Sequence, residues 1–273
     1  VIVAPTSTAD VVKIVKYANE KKVPLIARGA GSNLAGATVP LNGGIVMSMS
    51  GMDKILEISK SELIARVQPG VTNLDLDTEV AKENMRFVPD PGSRNVSTIG
   101  GNVATSAGGL RGLKYGTTMN YVLGLEAVLG TGEVIRTGGR LVKNVAGYDL
   151  TRLIVGSEGT LAIITEITLK LNGIPEKMAA AVVNFPTLAD GVKAATAIVR
   201  SGVAIARCEF LDPSSIKHVN KHDNLTLKEA PTLFFEFHGS PKGVEEDAQS
   251  VKEIVNEFSG SDYLGGVCDL VTS

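Results

Sequence analysis

The residues best suited to bind an anion form a glycine-rich loop near the start of the chain. Gly29, Gly31 and Gly36 lie between two apolar runs, LIAR at 25–28 and GIVMSM at 44–49. Because glycine lets the backbone turn sharply, such a loop can point several N–H groups at one phosphate. A plain tight turn is the alternative interpretation of these glycines.

Two well-known phosphate-binding loops do not fit this stretch. The dinucleotide fingerprint G-x-G-x-x-G needs its third glycine two positions before Gly36, and it must open a crossover helix. Pro40, Gly43 and Gly44 leave no room for that helix before Ile45. No Gly-Lys-Ser or Gly-Lys-Thr follows the glycines, so the P-loop is excluded as well.

Three later loops share the character of the first. Residues 89–94, 98–109 and 156–160 each combine glycine or proline with small hydroxyl or amide side chains. This composition favours binding of a large anionic ligand through backbone donors rather than through Lys or Arg. Several loops of this kind indicate an extended ligand.

The three histidines give weak evidence for a metal site. His218 and His222 are spaced i, i+4, which could pair them as ligands on one helical face. No carboxylate or third ligand accompanies them, so two exposed histidines in a polar stretch are the favoured interpretation. His238 lies at the end of an apolar run, where a structural role is expected. We therefore predict no metal site in this sequence.

Composition excludes several classes of partner. The 273 residues are 44% hydrophobic and carry a formal net charge of −2, so no basic field attracts nucleic acid or anionic lipid. No apolar stretch is long enough to span a bilayer. Cys208 and Cys268 lie far apart without metal-ligand spacing, which predicts neither a disulfide framework nor a zinc site and fits a reducing compartment.

Several elements that must position the loops can be predicted locally. A helix is expected after Ser7 or Thr8, and a second over residues 72–83. Residues 55–70 and 121–138 alternate like hairpins. The segment 86–116 has little periodicity and is predicted to be too glycine-rich for a core element. Beyond Pro175 the glycine clusters largely stop, which predicts a domain boundary near residues 172–178.

Three ordered stretches resemble a known family of flavoproteins. RGAGSNLAGA, PDPGSRNVSTIGGNVATSAGGLRGLKYG and LVKNVAGYDLTRLIVGSEGTLAIITEITLKL are similar to the pyrophosphate, central and adenine-side FAD loops of the vanillyl-alcohol-oxidase type. More narrowly, they resemble the branch of D-lactate dehydrogenases, glycolate oxidases and D-2-hydroxyglutarate dehydrogenases. The resemblance covers essentially the whole chain.

The resemblance implies an α+β fold. Residues 1–175 are expected to form an FAD-binding domain of two α/β subdomains. Residues 176–273 are expected to form the start of an α+β cap domain, which holds the substrate side and has an antiparallel sheet. Since the chain begins abruptly in its first strand and lacks the family's metal-binding and proton-accepting histidines, it resembles a fragment.

The resemblance also implies a set of FAD contacts in all of these loops. They are Gly29, Ala30, Gly31, Ser32 and Asn33 at the pyrophosphate, Pro89 and Asp90 by the flavin, Thr98, Ile99, Gly100, Gly101 and Asn102 along the ring and ribityl chain, Ala107 and Gly108 near the diphosphate, and Gly156, Glu158, Gly159 and Ile163 at the adenosine end. For Glu158, a solvated acid in a turn is the alternative.

The expected FAD is not covalently attached at the first loop. Some relatives attach it through a histidine just after the glycine pair, where this chain has Ser32, and the first histidine of the sequence is His218. FAD should therefore be dissociable. A divalent metal is expected only in a C-terminal part that this chain lacks.

The implied activity is oxidation of a D-2-hydroxy acid such as D-lactate. Electrons would pass to an acceptor other than oxygen, such as a cytochrome or another flavoprotein. The location would be mitochondrial in a eukaryote and cytoplasmic otherwise. No catalytic residue is assigned: Arg111 and Lys114 could contact substrate, with two ordinary surface cations as the alternative. A module that binds FAD, or acts in interaction without activity of its own, is the second hypothesis.

Overall fold

A computed structural model describes residues 1–267, with side chains described to residue 261. The strands β1 to β14 are Ile2–Val3, Leu25–Arg28, Ile45–Ser48, Ile55–Ser59, Ile64–Val67, Met85–Arg86, Val122–Leu129, Val134–Gly138, Ala162–Lys170, Asn172–Gly173, Lys177–Asn184, Ile205–Leu211, Thr232–Gly239 and Ser261–Val267. The helices α1 to α8 are Thr8–Lys21, Asn73–Ala81, Ile99–Thr105, Gly112–Tyr115, Leu150–Ile154, Leu188–Ser201, Pro213–Asp223 and Pro241–Glu257. Short 3₁₀ helices span Met49–Gly51 and Thr118–Asn120.

The described chain divides into two compact units. The first comprises residues 1–109 and 116–174, and the second comprises residues 110–115 and those from 175 onward. The short helix α4 therefore belongs to the second unit, although it is flanked in sequence by residues of the first.

The first unit contains two principal sheets. Strands β1, β3 and β2 form a parallel sheet in that order, with Ile26 opposite Val46. Strands β4, β5, β9, β7 and β8 form an antiparallel sheet of five, and β6 pairs with β10. The loop between β2 and β3 joins neighbouring parallel strands without a helix, as Pro40 and the adjoining glycines predict.

Local sequence signals explain the first helix. The Ser7 hydroxyl accepts a hydrogen bond from the Asp10 amide at 3.2 Å, and α1 ends at Lys22 in the left-handed conformation with φ of 51°. The buried Val11 and Val15 pack in a core that includes Met47. The predicted helix and its Ser7 cap are confirmed.

The prediction that residues 86–116 contain no core element is wrong for α3. The Thr98 hydroxyl accepts a hydrogen bond from the Gly101 amide at 3.3 Å and caps the helix. Ile99 and Val103 are fully buried. Glycine normally weakens a helix interior, but here it lets the backbone of α3 approach its neighbours closely.

The second unit is built on an antiparallel sheet of strands β12, β13, β11 and β14 in that order. Helices α6 and α8 contribute Ile198 and Val251 to a core shared with Phe235 and Phe237 of β13. This arrangement confirms the α+β class and the antiparallel sheet expected for the later part of the chain. In β12, burial raises the pKa of the Cys208 thiol to about 11, with a further contribution from Glu209, while Cys268 lies outside the described residues.

A buried network of ionisable side chains connects α4 to β13. Arg111 donates to Oε1 of Glu236 from Nε and Nη2 at 3.1 and 2.9 Å, and Nε2 of His238 lies 2.6 Å from the same oxygen. The Tyr115 hydroxyl lies 2.8 Å from Nδ1 of His238, and Lys114 donates to the His238 carbonyl. The surface-cation interpretation is therefore wrong for Arg111, whose side chain is only 17% exposed.

This network makes the stability of the second unit dependent on pH. Burial alone would raise the pKa of Glu236, but hydrogen bonds from His238 and Arg111, together with their charges, hold that pKa at about 2, below its ordinary 4.5. A depressed carboxyl pKa gives stability that is fully present above pH 4.5 and is lost as the pH falls toward 2.

We expect Glu236→Gln to flatten this acid dependence, because glutamine has no proton to gain. Urea unfolding followed by far-UV circular dichroism between pH 5 and 2.5 would measure it, with Glu209→Gln on the neighbouring strand as the control. The variant should also lose about 2 kcal/mol at pH 7, since the partly buried Arg111 loses its charged partner. If Glu236→Gln lost stability between pH 5 and 2.5 as steeply as the unmodified chain, this would contradict the attribution of the acid dependence to Glu236.

Candidate functional site

A cavity in the first unit is lined by the predicted loops. Its empty space measures about 1000 Å³, a volume that includes open solvent. The predicted contacts found in its lining are Gly29, Ala30, Gly31, Ser32, Asn33, Thr98, Gly100, Gly101, Asn102, Ala107, Glu158, Gly159 and Ile163. Loops far apart in sequence therefore meet at one cavity.

The loop after β2 presents backbone donors to this cavity. In the part of the chain that the structure describes, the amides of residues 29–33 have no hydrogen-bond partner. The Asn33 side chain holds the loop bent, because its Oδ1 accepts a hydrogen bond from the Ala37 amide at 2.9 Å. Gly31 has φ of +73°, a conformation that side chains disfavour. Consecutive amides in such a turn are suited to bind an anion.

Gly29 is required by packing within the protein. A Cβ at this position would collide with the Thr98 hydroxyl, which caps α3, and would lie 3.7 Å from Cα of Gly101. The missing side chain thus lets the first loop lie directly against the start of α3. This contact is a different reason for glycine from the sharp backbone turn that the sequence suggests.

Two buried polar atoms in the lining lack partners. Oγ of Ser97 and Nδ2 of Asn102 make no hydrogen bond within the described residues, although both residues are only 3% exposed. Buried polar groups are nearly always hydrogen-bonded, and an unpaired one costs about 1–3 kcal/mol. These two atoms are therefore suited to a polar ligand in the cavity.

The Gly-Ser-Glu-Gly loop is fastened to the end of α3. The amides of Gly156 and Glu158 donate to the carbonyls of Val103 and Ala104 at 3.0 and 2.8 Å. Glu158 has a left-handed backbone with φ of 52°. Such a conformation in a non-glycine residue is typical of tight turns and functional sites.

Five predicted contacts are not part of the lining: Pro89, Asp90, Ile99, Gly108 and Gly156. Ile99 is fully buried in the protein core. The Pro89 carbonyl accepts a hydrogen bond from the Asn73 side chain at 3.1 Å, and Asp90 lies directly against Gly109. These residues form or support the loops behind the cavity.

Sequence reasoning missed other lining residues, which are Ala27, Arg28, Ala37, Thr38, Met49, Pro69, Ser93, Ser97, Ala104, Thr105, Ala162 and Ile164. Arg28 and Ser97 lie inside the quoted motifs and directly precede a predicted contact, so extending each set of predicted contacts by one residue would have found them. Met49 and Pro69 come from other parts of the chain, and no local signal marks them.

The lining fits a dinucleotide such as FAD. The amides of residues 29–33 suit its diphosphate, Ser97 and Asn102 supply unpaired polar atoms, and Ala162 with Ile163 supplies apolar surface for a ring. A large anionic ligand with aromatic ends needs this mixture of backbone donors, buried polar groups and apolar walls.

Among the described residues, no histidine lines the cavity. His218 Nδ1 lies 2.7 Å from the Ser214 carbonyl, and His222 Nδ1 lies 2.7 Å from Oδ1 of Asp223, both on the exposed surface of α7. Among the residues described, no group of three His, Cys, Asp or Glu side chains is arranged to hold a metal ion. Within the same residues, no helix combines the length and apolar character needed to cross a bilayer.

Gly100 should tolerate no side chain. A Cβ there would lie 2.8 Å from the carbonyl oxygen and 2.9 Å from Cα of Pro69, so backbone would have to move. We expect Gly100→Ala to destabilise the first unit by about 2–3 kcal/mol. Gly130→Ala in the same unit is the matched control, because its Cβ meets nothing within 4 Å. Urea unfolding of both variants tests this, and equal midpoints would contradict it.

Comparison with known proteins agrees with this geometry. Residues 1–138 match the family model described as "FAD binding domain", and residues 174–269 match "FAD linked oxidases, C-terminal domain". The chain is 41% identical to glycolate oxidase subunit GlcD of Bacillus subtilis over 93% of this chain and 54% of that protein. It is 40% identical to the mitochondrial cytochrome D-lactate dehydrogenase of Arabidopsis thaliana, over 97% of this chain and 46% of that one.

Solved structures are similar over nearly the whole chain. An alkyldihydroxyacetonephosphate synthase matches with a TM-score of 0.82 and 28% identity, covering 99% of this chain and 52% of that one. p-Cresol methylhydroxylase matches with a TM-score of 0.76 and 19% identity over 97% and 57% of the two chains, a likeness of fold alone. The chain spans about half the length of the relatives it matches.

Proposed function

Because this chain belongs to the FAD-linked oxidases, we propose that it binds FAD and takes part in oxidising a D-2-hydroxy acid such as D-lactate to the 2-oxo acid. The proposed acceptor is not oxygen but a protein such as a cytochrome or another flavoprotein. A relative that is named as a cytochrome D-lactate dehydrogenase supports this choice, and its mitochondrial name supports a mitochondrial location if the source is a eukaryote. A cytoplasmic location is proposed for a source that is not a eukaryote.

One observation carries the cofactor assignment. Five consecutive amides in the loop at 29–33 lack partners among the described residues, and the buried Ser97 and Asn102 atoms beside them are unpaired. A ligand with a diphosphate and a polar ring system would satisfy both groups. We propose that residues 29–33 hold the diphosphate, that Thr98 and Asn102 lie along the ribityl side, and that Glu158 lies at the adenosine end.

The binding is proposed to be non-covalent. Ser32 occupies the place where some relatives carry a histidine, and no histidine is among the described residues that line the cavity. Bound FAD would supply the capacity to accept a hydride from the α-carbon of the substrate. The chain's own part would be to hold the cofactor through the first loop and α3, and to exclude water from it.

A binding module without activity of its own is the second candidate. The described lining contains Glu158 as its only carboxylate and no histidine, so it offers no evident base for a substrate hydroxyl. This observation favours a chain that binds FAD but needs further residues for catalysis.

Visible absorption separates these possibilities. Purified or reconstituted protein should show flavin bands, and acid precipitation should release all of the FAD into the supernatant. Anaerobic mixing with a panel of D-2-hydroxy acids should then bleach the flavin only if the catalytic groups are present, with the L-enantiomers as the control. A colourless protein that cannot be reconstituted would contradict the FAD assignment.

A further inference from the structure

Arg28 differs from five other arginines of the first unit. In the described chain, Arg66, Arg94, Arg136, Arg140 and Arg152 each form an ion pair with a carboxylate. Arg28 forms none within the described residues, and its one hydrogen bond is a long one of 3.4 Å from Nη2 to the Ala30 carbonyl. Its positive charge therefore remains unneutralised by the protein.

The Arg28 guanidinium lies over the amide loop. The position that a Cβ would take at Gly31 is only 2.7 Å from Nε and 2.9 Å from Nη2 of Arg28. The guanidinium thus occupies the space beside Gly31, next to the amides of residues 29–33. Fixed backbone donors and an unpaired cation are brought together at one place in the cavity lining.

The charges of the lining identify the ligand group that suits this place. Arg28 is the cation and Glu158 the carboxylate among the described lining residues, and they come from different loops. Amide dipoles stabilise an anion but carry no net charge, whereas a dinucleotide diphosphate carries two negative charges. A guanidinium can donate two parallel hydrogen bonds to phosphate oxygens.

We propose that Arg28 is the cationic partner of the diphosphate and makes the cavity selective for a dinucleotide over a flavin without a diphosphate. This inference rests on the proposed function, because it takes FAD as the ligand. It assigns to a side chain part of the binding that the sequence pattern attributes to backbone alone. Since Arg28 is exposed and belongs to the cavity lining, its charge should act most strongly at low salt.

The test is FAD binding by Arg28→Gln and Arg28→Lys in the whole 273-residue chain. Flavin fluorescence titrations give the dissociation constant at 50 mM and 300 mM NaCl. We expect glutamine to weaken FAD binding about 10- to 100-fold at the lower salt, and to reduce the salt dependence. Lysine should restore part of the affinity, because it keeps the charge but loses the planar fork.

Arg152→Gln is the matched control. Arg152 is also an exposed arginine of the first unit, but it pairs with Asp149 and lies outside the cavity lining. The dissociation constant of the Arg152→Gln variant for FAD should lie within twofold of that of the unmodified chain. Competition separates charge from shape: the inhibition constant of inorganic pyrophosphate, calculated with each protein's own FAD affinity, should be higher for the glutamine variant than for the unmodified chain, while that of adenosine should be equal for both.

The outcomes distinguish this inference from the proposed function. If the unmodified chain fails to bind FAD, the proposed function fails and the inference fails with it. If that chain binds FAD but Arg28→Gln matches it within twofold and keeps its salt dependence, the inference alone is overturned. Circular dichroism spectra and unfolding midpoints equal to those of the Arg152 variant would show that the fold is intact.

Discussion

Gly31→Val is expected to raise the dissociation constant for FAD about 100-fold or more, which corresponds to a loss of about 3 kcal/mol of binding free energy. Most secondary structure should stay intact. Gly31 has φ of +73°, which a β-branched residue adopts only with strain. Its new Cβ would also displace the Arg28 guanidinium, whose Nε lies 2.7 Å from that position. Flavin retained after gel filtration, with a fluorescence titration of the apoprotein, measures the effect.

Gly43→Val separates backbone strain from the effect on the site. Gly43 has φ of +69°, so valine there should be strained as well, but its Cβ would meet nothing within 4 Å and it lies outside the lining. We expect this variant to keep FAD. Gly101→Val should also lose FAD, because its Cβ would lie 3.2 Å from the capping hydroxyl of Thr98 at the cavity wall. Normal flavin content in the Gly31 variant would count against the assignment of the first loop.

The 273-residue chain is expected to oxidise D-lactate negligibly even when loaded with FAD. In the part of the chain that the structure describes, no histidine lines the cavity, and His238 is fully enclosed in the network with Glu236 and Arg111. Absence of a general base costs about 10²- to 10⁴-fold. Loss of substrate positioning removes several kcal/mol more from the stabilisation of the transition state. These factors multiply.

Anaerobic stopped-flow absorbance at millimolar D-lactate would measure this rate. The Arabidopsis D-lactate dehydrogenase serves as the active reference. Dithionite should bleach the flavin of both proteins, which shows that it can be reduced. Reduction by D-lactate at a rate near that of the reference would contradict the prediction. Arg111, Lys114 and His238 would then be the first residues to replace.

The sequence predicts elements whose determinants are local. Ser7 marks the start of α1, and the turn at Thr131 and Gly132 marks the hairpin of β7 and β8, because caps and turns involve neighbours along the chain. Helix α3 escaped prediction for the opposite reason. Its Gly100 and Gly101 have the composition of a loop, and their fit against Pro69 and the first glycine loop depends on tertiary contacts.

The same distinction holds at the site. The glycine loops can be predicted from the sequence because backbone conformation restricts the residue type at each position. Met49 and Pro69 line the cavity because the fold brings them there, and no local sequence pattern predicts that position. The pairing of Arg111 with Glu236 joins residues 125 positions apart, so a solvated cation was the natural interpretation of Arg111 in the sequence.

The backbone hydrogen bonds from Gly156 and Glu158 to the last turn of α3 make local opening of the protein measurable. These two amide protons can exchange with deuterated water only when the later loop separates from the helix, so their exchange rates report the free energy of that local opening. A ligand bound to the closed arrangement alone would slow both rates in proportion to its saturation. Gly156 lies outside the lining, and its amide could therefore report occupancy without touching the ligand.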